Sequence, residues 1–134
     1  MNMSTVTIVC VALMGILLFL LGANVTRQRA ITGKQGGNQL PTDPAAPLLI
    51  AVRAHGNAAE YIPTMIVLLL VCSALSTSWW VDALAVAALL VRAVHAAGML
   101  TAKTLAAYGP LRALGATGTY VVGVALGVTA IATL

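Results

Sequence analysis

The residues with most chemical potential lie in one short run, Arg53-Ala-His-Gly-Asn57-Ala-Ala-Glu60-Tyr61-Ile-Pro63. At about 100° per residue on a helix, Arg53, Asn57, Glu60, Tyr61 and Thr64 fall on one stripe, and His55 points away from it. Arginine can hold a carboxylate through two parallel hydrogen bonds. A glutamate accepts from an ammonium, an asparagine both donates and accepts, and a phenol does either. Such a face suits a zwitterionic, peptide-like ligand. A second polar patch follows at Arg92 and His95, one helical turn apart. Glu60 and Arg92 lie at similar distances from the turn at Ser76–Ser78, so an antiparallel hairpin would set them at one depth. The expectation is a Glu60–Arg92 pair, within one chain or between two. An alternative for these groups is purely structural, with the charges pairing only to fix helix packing.

The elements that carry these groups must be membrane helices. Hydrophobic residues make up 60% of the 134-residue chain and charged residues 7%, against about 25% charged in soluble domains. A chain this short cannot bury so much apolar surface within its own core, which excludes an ordinary soluble bundle. The solvent for most of this surface is lipid. The net charge of +4 does not point to nucleic acid, because the basic residues are few and no aromatic platforms lie between them. Cys10 and Cys72 sit in apolar runs without ligand partners, so no metal site is expected.

A spanning helix needs about 20 mostly apolar residues. Four segments meet that need: about 5–25, 44–75, 79–100 and 111–132, one all-α transmembrane four-helix bundle over residues 1–134. The first run, Val6 to Val25, has no basic residues ahead of it and is too long for a signal peptide core, so it reads as a retained helix. Thr26 to Asp43, with Gly33, Gly36, Gly37 and Pro41, reads as a loop. Asp43-Pro44 reads as an N-cap followed by proline at the first helical position. Pro63 removes a backbone hydrogen bond inside the second helix and is expected to kink it. Trp79-Trp80 suits an interface at the start of the third helix. Gly123 and Gly127 form a small-xxx-small pattern that permits close helix contact. Arg27, Arg29 and Lys34 follow the first helix, and Lys103 and Arg112 follow the third, while the termini and the middle turn hold no basic residue. Basic loops stay cytoplasmic, which places both termini on the non-cytoplasmic side.

The pattern Arg53-x3-Asn57-x2-Glu60-Tyr61-x-Pro63 resembles the second-helix signature of the MAPEG family, the membrane-associated proteins in eicosanoid and glutathione metabolism. The likeness covers nearly the whole chain, including four helices, a basic first loop and an arginine on the third helix. Its wording is closest to small bacterial members, which implies the bacterial inner membrane. The resemblance implies a homotrimer that binds glutathione in clefts between subunits open to the cytoplasm, and that acts on lipophilic electrophiles or peroxides. By matching position it implies that Arg53, Asn57, Glu60 and Tyr61 contact glutathione, and that Arg27 or Arg29 reaches its carboxylates. Arg92 and Lys103 would then stabilise a thiolate, with His95 as base or donor. Two departures stand out. The leukotriene synthase branch carries tyrosines three and seven residues after the third-helix arginine, where this chain has His95 and Met99. Its further arginine has no match, and the neighbourhood reads Lys103-Thr-Leu-Ala106. Three function classes stand open: a glutathione-dependent enzyme, a non-catalytic protein binding glutathione, a lipid headgroup or another small anion, and a subunit or carrier with a polar cleft.

Overall fold

In the computed structural model, which describes residues 3–134, the chain is four helices in the order α1 (Thr5–Lys34), α2 (Pro47–Leu75), α3 (Trp79–Leu100) and α4 (Pro110–Ala132). All four are long and apolar enough to cross a membrane. The third and fourth agree with the expected ranges to within a residue. The first two start or end differently, for local reasons.

α1 does not stop at Val25 but continues for nine more residues, so Arg27, Arg29 and Lys34 are helical rather than in a loop. Polar side chains do not end a helix once it leaves the hydrocarbon, and Arg, Gln, Ala and Lys are all sound helix formers. What ends it is Gly36, at φ 67°, a conformation that favours glycine. Its N–H donates to Gly33 O over 3.0 Å, and Gly37 N–H donates to Thr32 O over 2.9 Å. That bond pair is the glycine-terminated Schellman closure. At about 1.5 Å per residue, the 30 residues of α1 exceed a hydrocarbon core of about 30 Å. The last turns therefore stand clear of it.

α2 begins at Pro47, not Pro44. Proline disfavours the helical region for the residue before it, so Ala46 cannot be an interior helical residue and becomes the N-cap. Asp43 is used differently: its Oδ1 accepts from Ala45 N–H over 2.9 Å and its carbonyl accepts from Ala46 N–H over 3.0 Å, closing a turn. Pro63 lies inside an unbroken α2.

The inward faces are built from small residues. Ala54, Ala58, Ala85 and Ala88 are essentially inaccessible, which lets backbones approach where lipid gives no hydrophobic drive for helices to associate. The closest approach is between α3 and α4. A Cβ added at Gly115 would lie 2.5 Å from His95 N, and one at Gly98 would lie 2.6 Å from Arg112 N. Gly123 and Gly127, the pair singled out by sequence pattern, face open space and make no such contact in this chain. At the opposite end, Thr7 on α1, fully buried, donates to Asp82 Oδ1 on α3 over 2.9 Å. Trp79 and Trp80 are exposed at the start of α3.

Candidate functional site

The stripe on α2 exists as a surface of the single chain. Arg53, Glu60 and Thr64 are exposed, and Asn57 and Tyr61 are half-buried. The buried side of α2 runs instead through Ala51, Ala54, Ala58, Ile62 and Met65. His55 points off the stripe toward α1, where its ring packs at Gly22.

Arg92 backs the stripe from inside the bundle. It is the largest fully buried side chain, 1% exposed. Its Nη2 donates to Asn57 Oδ1 over 2.7 Å and its Nη1 donates to Thr119 Oγ1 over 3.0 Å. Thr119 donates in turn to Gly115 O over 2.7 Å. The guanidinium carbon lies 5.6 Å from the centre of the Tyr61 ring, within cation–π range. Tyr61 meets Tyr120 edge to face, with ring centres 5.8 Å apart. The expected Glu60–Arg92 pair does not form within the chain: Arg92 takes an amide and a hydroxyl, and Glu60 is left exposed. The two helices do place both groups at one level, but Glu60 sits on the outer edge of α2 while Arg92 points between α2 and α4.

Among the described residues, two buried nitrogens lack partners, Arg92 Nε and His95 Nε2. His95 is 6% exposed and its Nδ1 lies 3.1 Å from Arg112 O. A carbonyl only accepts, so Nδ1 carries the proton and Nε2 presents a lone pair. Among the described residues, no three His, Cys, Asp or Glu side chains converge as a metal site would require.

The remaining sequence candidates lie elsewhere. Arg27 and Lys103 line one cavity together, and Arg29 lines another with Gln39 and Leu40. No stripe residue lines either. Sequence reasoning missed Thr119 and Tyr120, although they are a polar pair in the middle of an apolar helix. It also used Arg112 only as a charge marker, whereas its guanidinium donates to the carbonyls of Leu105 and Ala107 and braces the segment between α3 and α4.

Four hydrophobic spans around a buried, unneutralised guanidinium, with a polar stripe on the outer edge of the second span, define a multi-pass integral membrane protein. The model of the MAPEG family matches residues 6–132, nearly the whole chain, and the chain belongs to that family. Neither a curated protein nor a solved structure matches it.

Proposed function

We propose that the chain is one subunit of a homotrimeric glutathione-dependent enzyme, a transferase or peroxidase acting on lipophilic electrophiles at the cytoplasmic face of a bacterial inner membrane. Both termini lie on the other side. The observation that carries the reading is Arg92: a buried cation with no carboxylate among its partners and its Nε without any partner. Burying an uncompensated charge is costly, and an anionic ligand at the adjoining stripe would offset that cost. The donor set fits glutathione, a tripeptide with two carboxylates, one ammonium and a thiol. Arg53 would hold a carboxylate, Glu60 the ammonium, and Asn57 and Tyr61 the peptide groups.

The trimer has a physical motive as well as a family one. Glu60 is exposed within a spanning helix, about two turns deeper than the exposed Arg53, and lipid does not accept an ionised carboxylate there. A neighbouring subunit against α2 covers it and closes the cleft.

Bound glutathione supplies a thiol whose sulfur, once deprotonated, forms a bond to an electrophilic carbon while the leaving group departs with its electron pair. Arg92 places a fixed positive charge behind the stripe, and a cation nearby favours thiolate over thiol. His95 Nε2 presents a lone pair able to take a proton. Asn57 and Thr119 keep the guanidinium from rotating away.

A non-catalytic glutathione-binding protein is the second reading. It is favoured by the positions of His95, whose ring is buried and tied to Arg112 O, and of Lys103, which lies in a separate cavity. Calorimetric titration of the purified protein with glutathione tests binding. Arg53→Ala should weaken it markedly, because truncating one partner of a buried charge pair costs roughly 2–5 kcal/mol. Equal affinity for wild type and Arg53→Ala would remove the stripe from the site. Glutathione-dependent turnover of a model electrophile then separates enzyme from binder.

A further inference from the structure

A different part of the chain is also equipped for an anion. At the end of the bundle where α1 emerges, a recess of about 440 Å³ opens between the last turns of α1, the first turn of α2 and the segment after α3. Its volume lies in the range of about 300–1,000 Å³ usual for small-molecule sites. Its polar walls are Asn24, Arg27 and Gln28 of α1 and Lys103 after α3, and Ile50 and Ala51 of α2 form part of its apolar floor. Ile50 and Ala51 are buried while Arg27 and Lys103 are exposed at its mouth, so the recess is an open one formed within a single chain, over a face of α2 that Arg53 and Glu60 do not share.

Four features of the recess select for an anion. Two cations converge from segments far apart in sequence. Neither Arg27 nor Lys103 hydrogen-bonds another described residue, and no acidic side chain lines the walls. The acid nearest in the chain, Asp43, spends Oδ1 on Ala45 N–H. Pro47, at the start of α2, also lines the recess, and the N-cap Ala46 offers no side chain to the first free amides, so the positive end of the helix dipole adds to the same field. The recess is held open by backbone as well: Leu105 N–H donates to Pro44 O over 2.8 Å, tying together the two segments at its rim.

Depth selects among anions. The apolar run of α1 ends at Val25, which at about 1.5 Å per residue is one hydrocarbon thickness from its start. Asn24, Arg27 and Gln28 therefore lie at the level of lipid headgroups. We propose that this recess is a phosphate-binding site, which takes the phosphate of an anionic lipid headgroup or of a small free phosphate, with Arg27 and Lys103 as the charge pair and Asn24 and Gln28 as further donors. It is separate from the thiol-ligand stripe and does not depend on that reading.

The test uses the full chain in a neutral, phosphate-free detergent. Thermal unfolding is followed against dihexanoyl phosphatidylglycerol in one arm and inorganic phosphate in the other, since a ligand of the folded state raises apparent stability. The proteins are wild type, Arg27→Gln, Lys103→Gln and Arg29→Gln, the last removing an equal charge from the same helix outside the recess. A saturable rise in Tm is expected for wild type in at least one arm. Arg27→Gln and Lys103→Gln should each weaken the apparent affinity by about ten-fold or more, and Arg29→Gln by less than about two-fold. Saturation by phosphatidylglycerol alone assigns the site to lipid, and saturation by inorganic phosphate as well assigns it to the free anion. No saturable shift in either arm, or the same loss in all three variants, overturns the proposal. Should Arg27→Gln fail to fold, Arg27→Lys serves in its place, with a smaller loss expected. A glutathione titration of wild type is read separately: its failure would remove the stripe reading and leave the phosphate result standing.

Discussion

Asn57→Ala examines how the stripe and the buried cation depend on each other. In the wild type, Asn57 Oδ1 accepts from Arg92 Nη2 over 2.7 Å, and the arginine is 1% exposed. The substitution leaves that N–H facing a methyl group. Losing a hydrogen bond to a charged group costs about 1.5–3 kcal/mol. Against this, interhelical hydrogen bonds inside membrane proteins average only about 0.6 kcal/mol, because the unfolded chain in lipid also finds partners. The charge decides between the two values. A guanidinium with no carboxylate partner has more to lose than a neutral donor, and the higher range is expected. Arg92→Met alone is uninformative, since it removes two hydrogen bonds and a large desolvation cost together. A double-mutant cycle isolates the pair. In the Arg92→Met background, Asn57→Ala should cost almost nothing, giving a coupling of about 1.5–3 kcal/mol. The assay is reversible unfolding in mixed micelles at one fixed protein concentration, read from the fluorescence of Trp79 and Trp80. A coupling below about 0.5 kcal/mol would show that Asn57 does not hold the guanidinium.

Gly115→Ala should destabilise by about 1–3 kcal/mol, as overpacking does, because its Cβ would meet backbone atoms of His95, whereas Gly123→Ala should be nearly neutral; the same unfolding assay compares them. Native mass measurement in mild detergent should give a trimer, and a stable monomer would contradict the assembly. Single cysteines introduced at positions 34 and 103 in a background lacking Cys10 and Cys72 should label from the cytoplasmic face. Labelling of position 34 from the outer face would overturn the orientation.

The four spans were legible because lipid imposes one rule, a run of about 20 apolar residues, and the chain follows it four times. The start of α3 was legible from Trp79-Trp80. The end of α1 was not, because polarity marks where a helix leaves the hydrocarbon and not where it stops; the stop came from Gly36. The start of α2 was misplaced because two prolines compete there, and only the rule against a helical residue before Pro47 chooses between them. The stripe Arg53–Asn57–Glu60–Tyr61 was legible as a face, since helical periodicity fixes directions along one helix. Its partners were not, since periodicity says nothing of how far a neighbouring helix is rotated. Depth alone matched Arg92 with Glu60, whereas the rotation of α3 turned Arg92 toward Asn57 and α4. Thr119 entered the site for the same reason.

That rotation leaves two complementary deficits in a single chain. Inside, Arg92 has a full positive charge, two neutral acceptors and an Nε with no partner. Outside, Glu60 has a full negative charge and an exposed position on a spanning helix. Had the two paired, as their depth alone would suggest, the buried guanidinium would be neutralised within the chain. Arg92 takes Asn57 and Thr119 instead, and on the reading proposed above each charge is left to a bound ligand. A carboxylate suits the first and an ammonium the second, and a peptide-like zwitterion carries both. Asn57 is therefore central: its carbonyl oxygen accepts from the cation, while its amide nitrogen hydrogen-bonds no other described residue. Asn57→Asp should close the deficit internally by giving Arg92 a carboxylate. It should raise stability in the unfolding assay and weaken glutathione binding in calorimetry. A gain in both would show that the cation's unmet charge is not what recruits the ligand.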